Sequence, residues 1–217
     1  MDRWWRIGVG LTVLSTAAAV AMQAVAGRWF PPPVSVSQYG IGPWGWLFSV
    51  FVVTMSTAPL YLERLSARRP RLVRLMLWAG LAGAVVMAVV RTDSGGAQAS
   101  LNAKVHMVGS IVCLTFVPLG MFALFWLRGG AARIVGFVEI LLVEVSITLL
   151  LCAAFGLDTA GIGAARSWAL WQAVASVASV LMVVTLSVVL RPGRDDRRNH
   201  TGRPVPDEAR SSILVKD

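Results

Sequence analysis

Six ionisable residues occur where apolar segments of the sequence begin or end: Arg91, Asp93, Lys104, His106, Asp158 and Arg166. A Ser-Gly-Gly sequence follows Asp93 and is typical of a tight turn, so we expect Asp93 to lie near His106. These two side chains could share a proton or form an ion pair. We predict that the cluster, above all Arg91, Asp93, Lys104, His106 and Arg166, binds a lipid headgroup or a small polar ligand. The alternative is that these residues cap helices and lie in headgroup water.

A catalytic use of the same residues is a second hypothesis. His106 could act as a general base with Asp93 orienting it, but such an enzyme also needs a nucleophile or a metal. Ser94 and Ser100 are candidate nucleophiles by proximity alone. With one histidine near the apolar runs, the chain does not supply a multi-histidine metal site. The pattern therefore favours binding over catalysis, and we predict no metal site and no cofactor.

Two glutamates, Glu139 and Glu144, fall inside one apolar run. Charging a carboxylate at mid-membrane costs about 2.5–3.5 kcal/mol, so ionisable residues inside a span are candidate functional residues. The five-residue spacing separates the two side chains by about 140° around a helix, which argues against a paired-carboxylate catalyst. Glu144 has either a proton-transfer or ligand role, or it is a neutral acid hydrogen-bonded to Ser, Thr or a backbone carbonyl.

The composition is typical of a protein that lies in lipid. Of its 217 residues, 56% are hydrophobic and 14% are charged, and the mean hydropathy is +0.69. Soluble domains carry about 25% charged residues. The net charge of +9 does not indicate nucleic-acid binding, because the basic residues form short clusters between apolar runs. The expected partners are membrane lipids and, in one alternative, another membrane protein.

Six apolar runs are long enough to cross about 30 Å of hydrocarbon as helices. They predict an all-α bundle of six transmembrane helices in a domain spanning 1–190, with spans at about 7–27, 42–62, 72–90, 105–127, 134–155 and 168–190. The runs are continuous rather than alternating and far longer than a barrel strand, which favours helices over strands. Gly80, Gly83 and Ala84 share one face of the third span, where small residues let helices approach closely.

The distribution of basic residues predicts the orientation. With both termini in the cytoplasm, 16 of the 20 Lys and Arg residues lie on the cytoplasmic side. We expect a multi-pass protein with this N-in, C-in arrangement in a cytoplasmic membrane, with a disordered cytoplasmic tail at 191–217. In an alternative interpretation, Ala24-Val-Ala26 is a signal-peptide cleavage site and five spans remain.

Three short motifs carry a resemblance: Ser37-Gln-Tyr-Gly40 before a helix, Arg91-Thr-Asp93 with a glycine-containing loop and then His106, and Gly163-Ala-Ala-Arg166 with Trp171 beyond it. Together they resemble a bacterial membrane family known as domain of unknown function 998, over about residues 5 to 190. Ala165 departs from the acidic or amide residue expected there. The resemblance implies about six helices and no assigned activity, and it falls on Asp93, His106 and Arg166.

The function that these observations favour is the binding or handling of a lipid or small polar ligand at the outer-leaflet cluster. Two alternatives stay open. The protein could be a structural or accessory subunit of a membrane complex, or an intramembrane enzyme that uses Asp93 and His106.

Overall fold

The structure is a computed structural model that describes residues 2–26, 34–68, 70–94 and 100–192. Within these ranges it has six long helices and no strand. The helices are α1 Asp2–Ala26, α2 Gly45–Glu63, α3 Arg71–Val89, α4 Leu101–Arg128, α5 Gly130–Ala154 and α6 Ala164–Val189. Each is long and apolar enough to cross a membrane, which confirms the predicted six-span bundle.

A short helix at Val36–Gly40 lies between α1 and α2. We call the end of the bundle that carries this short helix and the α5–α6 connection the loop end. The opposite end, where α1 begins and α6 finishes, is the terminal end. The predicted tail, apart from Arg191 and Pro192, lies outside the described residues, as do the two glycines of the Ser94-Gly-Gly turn.

Four helices begin about one turn before the predicted spans. α1, α4, α5 and α6 begin at Asp2, Leu101, Gly130 and Ala164, although the apolar runs begin at residues 7, 105, 134 and 168. Apolar character marks the hydrocarbon layer, whereas backbone hydrogen bonding continues beyond it when the helix end is capped. The lengthened ends bring polar residues onto regular helix at both bundle ends.

The even-numbered helices form the centre of the bundle. α2, α4 and α6 contact one another, while α1, α3 and α5 lie at the periphery. The side chains that fill the centre are fully buried; they include Val117, Met121, Phe125, Val143, Met182 and Leu186. Each helix also packs on its neighbour in sequence, and α1 packs on α6 to complete the bundle.

The closest helix crossing joins α3 to α4. A Cβ atom built on Gly83 would lie 2.6 Å from the carbonyl oxygen of Gly109 and 2.8 Å from the backbone nitrogen of Cys113. Gly80, Gly83 and Ala84 are all buried, as their common face predicts. In lipid, helix association depends on such close van der Waals packing because burying apolar side chains gives no hydrophobic gain.

Candidate functional site

A small cavity lies at the loop end among the short helix, α4, α5 and α6. It encloses about 50 Å³, which is room for a few water molecules or one small polar group. One part of its wall is polar and contains Ser37, Thr92, His106, Ser110 and Gln172. The remainder is mainly apolar and comes largely from α4 and α5, including Met107, Ile111, Ile147, Leu150 and Leu151. We call it the His106 cavity.

His106 lies in the second turn of α4 and is 4% exposed. Its Nδ1 atom is 2.6 Å from the carbonyl oxygen of Val90. A carbonyl oxygen can only accept, so Nδ1 carries the hydrogen, and in the neutral ring Nε2 presents a lone pair. This Nε2 atom is buried and has no hydrogen-bond partner among the described residues. Phe48 stacks against the ring at 6.0 Å and limits its rotation.

Gln172 connects the short helix to α6. Its side-chain oxygen accepts a hydrogen bond of 3.3 Å from the backbone N–H of Ser37. The short helix is itself closed by a capping box, in which the Gln38 side chain accepts from the backbone N–H of Ser35. The Gln172 amide NH₂ group donates to no described residue, which leaves a hydrogen-bond donor beside the cavity.

Asp93 stabilises the start of α4. Its carboxylate accepts hydrogen bonds from the backbone N–H and the hydroxyl of Ser100, at 2.9 and 2.5 Å. The Ser100 hydroxyl oxygen in turn accepts from the backbone N–H of Ala103 and so caps the helix. The hydrogen bonds described for Asp93 and His106 thus go to different partners, and the carbonyl of Val90 holds the tautomer of His106.

The three cations of the predicted cluster lie on the surface. Arg91, Lys104 and Arg166 are exposed at the loop end, and none of them lines the His106 cavity. Lys104 lines a separate groove between α3 and α4. The structure therefore brings His106 into a cavity with Thr92, the neighbour of Asp93, and leaves the cations outside it.

Asp158 organises the α5–α6 connection. Its carboxylate accepts from the backbone N–H groups of Ala160, Ile162 and Gly163 and from the Ser167 hydroxyl. The hydrogen bonds from Gly163 and Ser167 are the main reason that the pKa of Asp158 lies below its usual value. This carboxylate therefore has a local structural use at the start of α6.

The two intramembrane glutamates lie apart from the His106 cavity. The Thr185 hydroxyl donates a hydrogen bond of 2.7 Å to Oε1 of Glu139. Oε2 of Glu139 and Oε1 of Glu144 are buried without a partner among the described residues. Glu139 thus has a threonine partner. For Glu144, both the proton-transfer or ligand role and the neutral-acid alternative stay open.

Two polar residues were missed by sequence reasoning. Gln172 is 4% exposed. In the sequence, its amide stands alone in an apolar run, and this isolation could have identified it as a candidate site residue. Glu63 ends α2 and is 1% exposed; its Oε1 is 3.1 Å from Nη2 of Arg74. Glu63 directly follows the apolar run in the sequence, and the helix includes it.

Residues of two of the motifs that carry the family resemblance line the cavity, together with residues that follow the third motif. Ser37 comes from the first, Thr92 and His106 from the second, and Trp168 and Gln172 lie on the helix turns that follow the third. A family model described as "Protein of unknown function (DUF998)" matches residues 7–189. The chain belongs to this family, as the resemblance predicted. No curated protein and no solved structure matched the chain.

Proposed function

We propose that this membrane protein binds a small polar or amphiphilic ligand in the His106 cavity. The supporting observation is that His106 lines a cavity with one polar side, and that its buried Nε2 atom has no hydrogen-bond partner among the described residues. Leaving a buried acceptor unpaired costs about 1–3 kcal/mol. A ligand that donates a hydrogen bond to Nε2 recovers that free energy on binding.

The cavity walls restrict the chemistry of the ligand. His106 requires a donor such as a hydroxyl or an amine, and the Gln172 NH₂ group offers a hydrogen bond to an acceptor on the same ligand. The space of about 50 Å³ admits one small polar group rather than a whole headgroup. The apolar side, formed by residues such as Ile111 and Leu151, suits a hydrocarbon chain attached to that group.

The proposed orientation determines which side of the membrane the His106 cavity faces. With the N-in, C-in topology in a bacterial cytoplasmic membrane, the loop end faces outwards and the ligand comes from the outer leaflet. The exposed Arg91, Lys104 and Arg166 would then attract anionic headgroups to the same surface. Asp93 contributes indirectly by fixing the start of α4, the helix that carries His106.

The test is mass spectrometry of the molecules that co-purify with the protein from its native membrane. Wild type is compared with His106→Asn, because an Asn amide can still donate to the Val90 carbonyl but places no acceptor at the Nε2 position. Asn102→Ala is the matched control, since Asn102 is exposed on α4 one turn before His106. We expect one bound species in wild type and in the control, and its loss in His106→Asn.

Two outcomes would count against this function. Identical bound species in all three proteins would separate the ligand from His106. A stoichiometric protein partner with no bound small molecule would instead favour the alternative of an accessory subunit in a membrane complex.

A further inference from the structure

A second recess lies on the membrane-facing surface, between the loop-end halves of α3 and α4. This α3–α4 groove has a volume of about 430 Å³ and shares no lining residue with the His106 cavity. Its walls include Ala82, Val86, Val105, Val108 and Val112. Gly83 and Gly109, where the two helix backbones approach each other closely, also line it.

The charge of the groove is confined to one end. Among the described residues, Lys104 is the only charged one in its lining, and it lies nearest the loop end of α4. Its side chain is exposed and makes no ion pair with a described residue. The amine at the end of a flexible stem can therefore lie at headgroup level while the apolar walls extend into the hydrocarbon.

The length of the groove is close to the hydrocarbon thickness of one membrane leaflet. From Lys104 to Val112 the helix rises about 12 Å, at 1.5 Å per residue. Half of a hydrocarbon core of about 30 Å is about 15 Å. An acyl chain whose phosphate lies at Lys104 would therefore follow the groove over most of its leaflet.

We propose that the α3–α4 groove binds one anionic phospholipid, with an acyl chain along the valines and the phosphate on the Lys104 ammonium. The volume lies within the range of ligand sites, about 300–1,000 Å³. An anionic lipid is the occupant because it brings no positive charge of its own to repel Lys104. This site is independent of the His106 cavity and of which leaflet the loop end faces.

The test is native mass spectrometry of the purified full chain, titrated with phosphatidylglycerol or with phosphatidylcholine. We expect wild type to retain one phosphatidylglycerol. Lys104→Gln weakens that binding about fivefold, the worth of one basic side chain at a membrane surface. Lys104→Arg retains it. Arg71→Gln, an exposed cation at the opposite end of α3 that does not line the groove, is the matched control and leaves binding unchanged.

A second variant tests the apolar part of the groove. Val108→Phe places a larger side chain in the groove and should weaken the binding of both lipids. Val138→Phe is its control, because Val138 is exposed to the same extent on α5, 60% against 58%. Equal weakening by Lys104→Gln and Arg71→Gln, or by the two phenylalanine variants, would overturn the proposal.

Discussion

The backbone N–H of Ser37 donates a hydrogen bond of 3.3 Å to the side chain of Gln172, although 135 positions separate the two residues. Both residues line the His106 cavity. This contact holds the short helix on α6 and so encloses one side of the cavity. A single buried amide in an apolar helix thus links two of the elements that form the loop end.

Replacement of Gln172 by Met should lower stability, because the buried N–H of Ser37 loses its acceptor while the side-chain volume is nearly kept. The expected loss is about 1–3 kcal/mol, measured by thermal unfolding in detergent. Gln23→Met is the control: the Gln23 side-chain oxygen is buried with no described partner, so its removal costs little. Equal melting temperatures for the two variants would show that the Ser37 contact contributes nothing.

The α3–α4 crossing should not tolerate a methyl group at Gly83. The nearest atoms to its Cβ position belong to backbone and cannot move without shifting a helix. We expect Gly83→Ala to cost about 1–3 kcal/mol, which exceeds the gain of about 0.5–1 kcal/mol from placing Ala in a helix. Gly10→Ala is the control, since no atom lies within 4 Å of its Cβ position. An unchanged melting temperature for Gly83→Ala would contradict the close approach of the α3 and α4 backbones at Gly83.

The six helices and the small-residue face of α3 could be predicted because both follow from local constraints. A span needs about 20 apolar residues whatever surrounds it, and helical periodicity alone places Gly80, Gly83 and Ala84 on one face. The extra turn at the start of α4 escaped prediction because it depends on Ser100 and Asp93, polar residues outside the apolar run.

The candidate site was predictable only in part. His106 stood out as an ionisable residue at the edge of a span, and it does line a cavity. Its partner could not be predicted, because a carbonyl such as that of Val90 is present at every residue and carries no signal in the sequence. The contribution of Gln172 depends on Ser37, which only the folded bundle brings near it.

The Glu63–Arg74 ion pair joins the terminal ends of α2 and α3. Arg74→Gln should destabilise the protein by about 3 kcal/mol, because it leaves a buried carboxylate without its cation. This is the low end for such pairs, since the Arg74 side chain is 44% exposed. The double variant Glu63→Gln with Arg74→Gln should recover part of the loss, because no uncompensated charge remains. Thermal unfolding measures both changes.

Arg71→Gln is the control for the ion pair. Arg71 is exposed, begins the same helix and makes no salt bridge with a described residue. An equal effect of Arg71→Gln and Arg74→Gln would mean that general charge at the terminal end, and not the pair with Glu63, accounts for the stability.

The Asp158 carboxylate should stabilise the folded protein at neutral pH and lose this effect at acidic pH. Because hydrogen bonds to the carboxylate lower its pKa in the folded protein, its contribution is present above the unfolded aspartate pKa of about 3.9. That contribution is lost as the pH falls through the lower folded pKa. Asp158→Ala should therefore lower the melting temperature at neutral pH, and the difference from wild type should shrink as the solution becomes acidic below about pH 4. Melting curves of both proteins over this range measure the effect, and a difference that stays constant with pH would show that the carboxylate charge does not stabilise the α5–α6 connection.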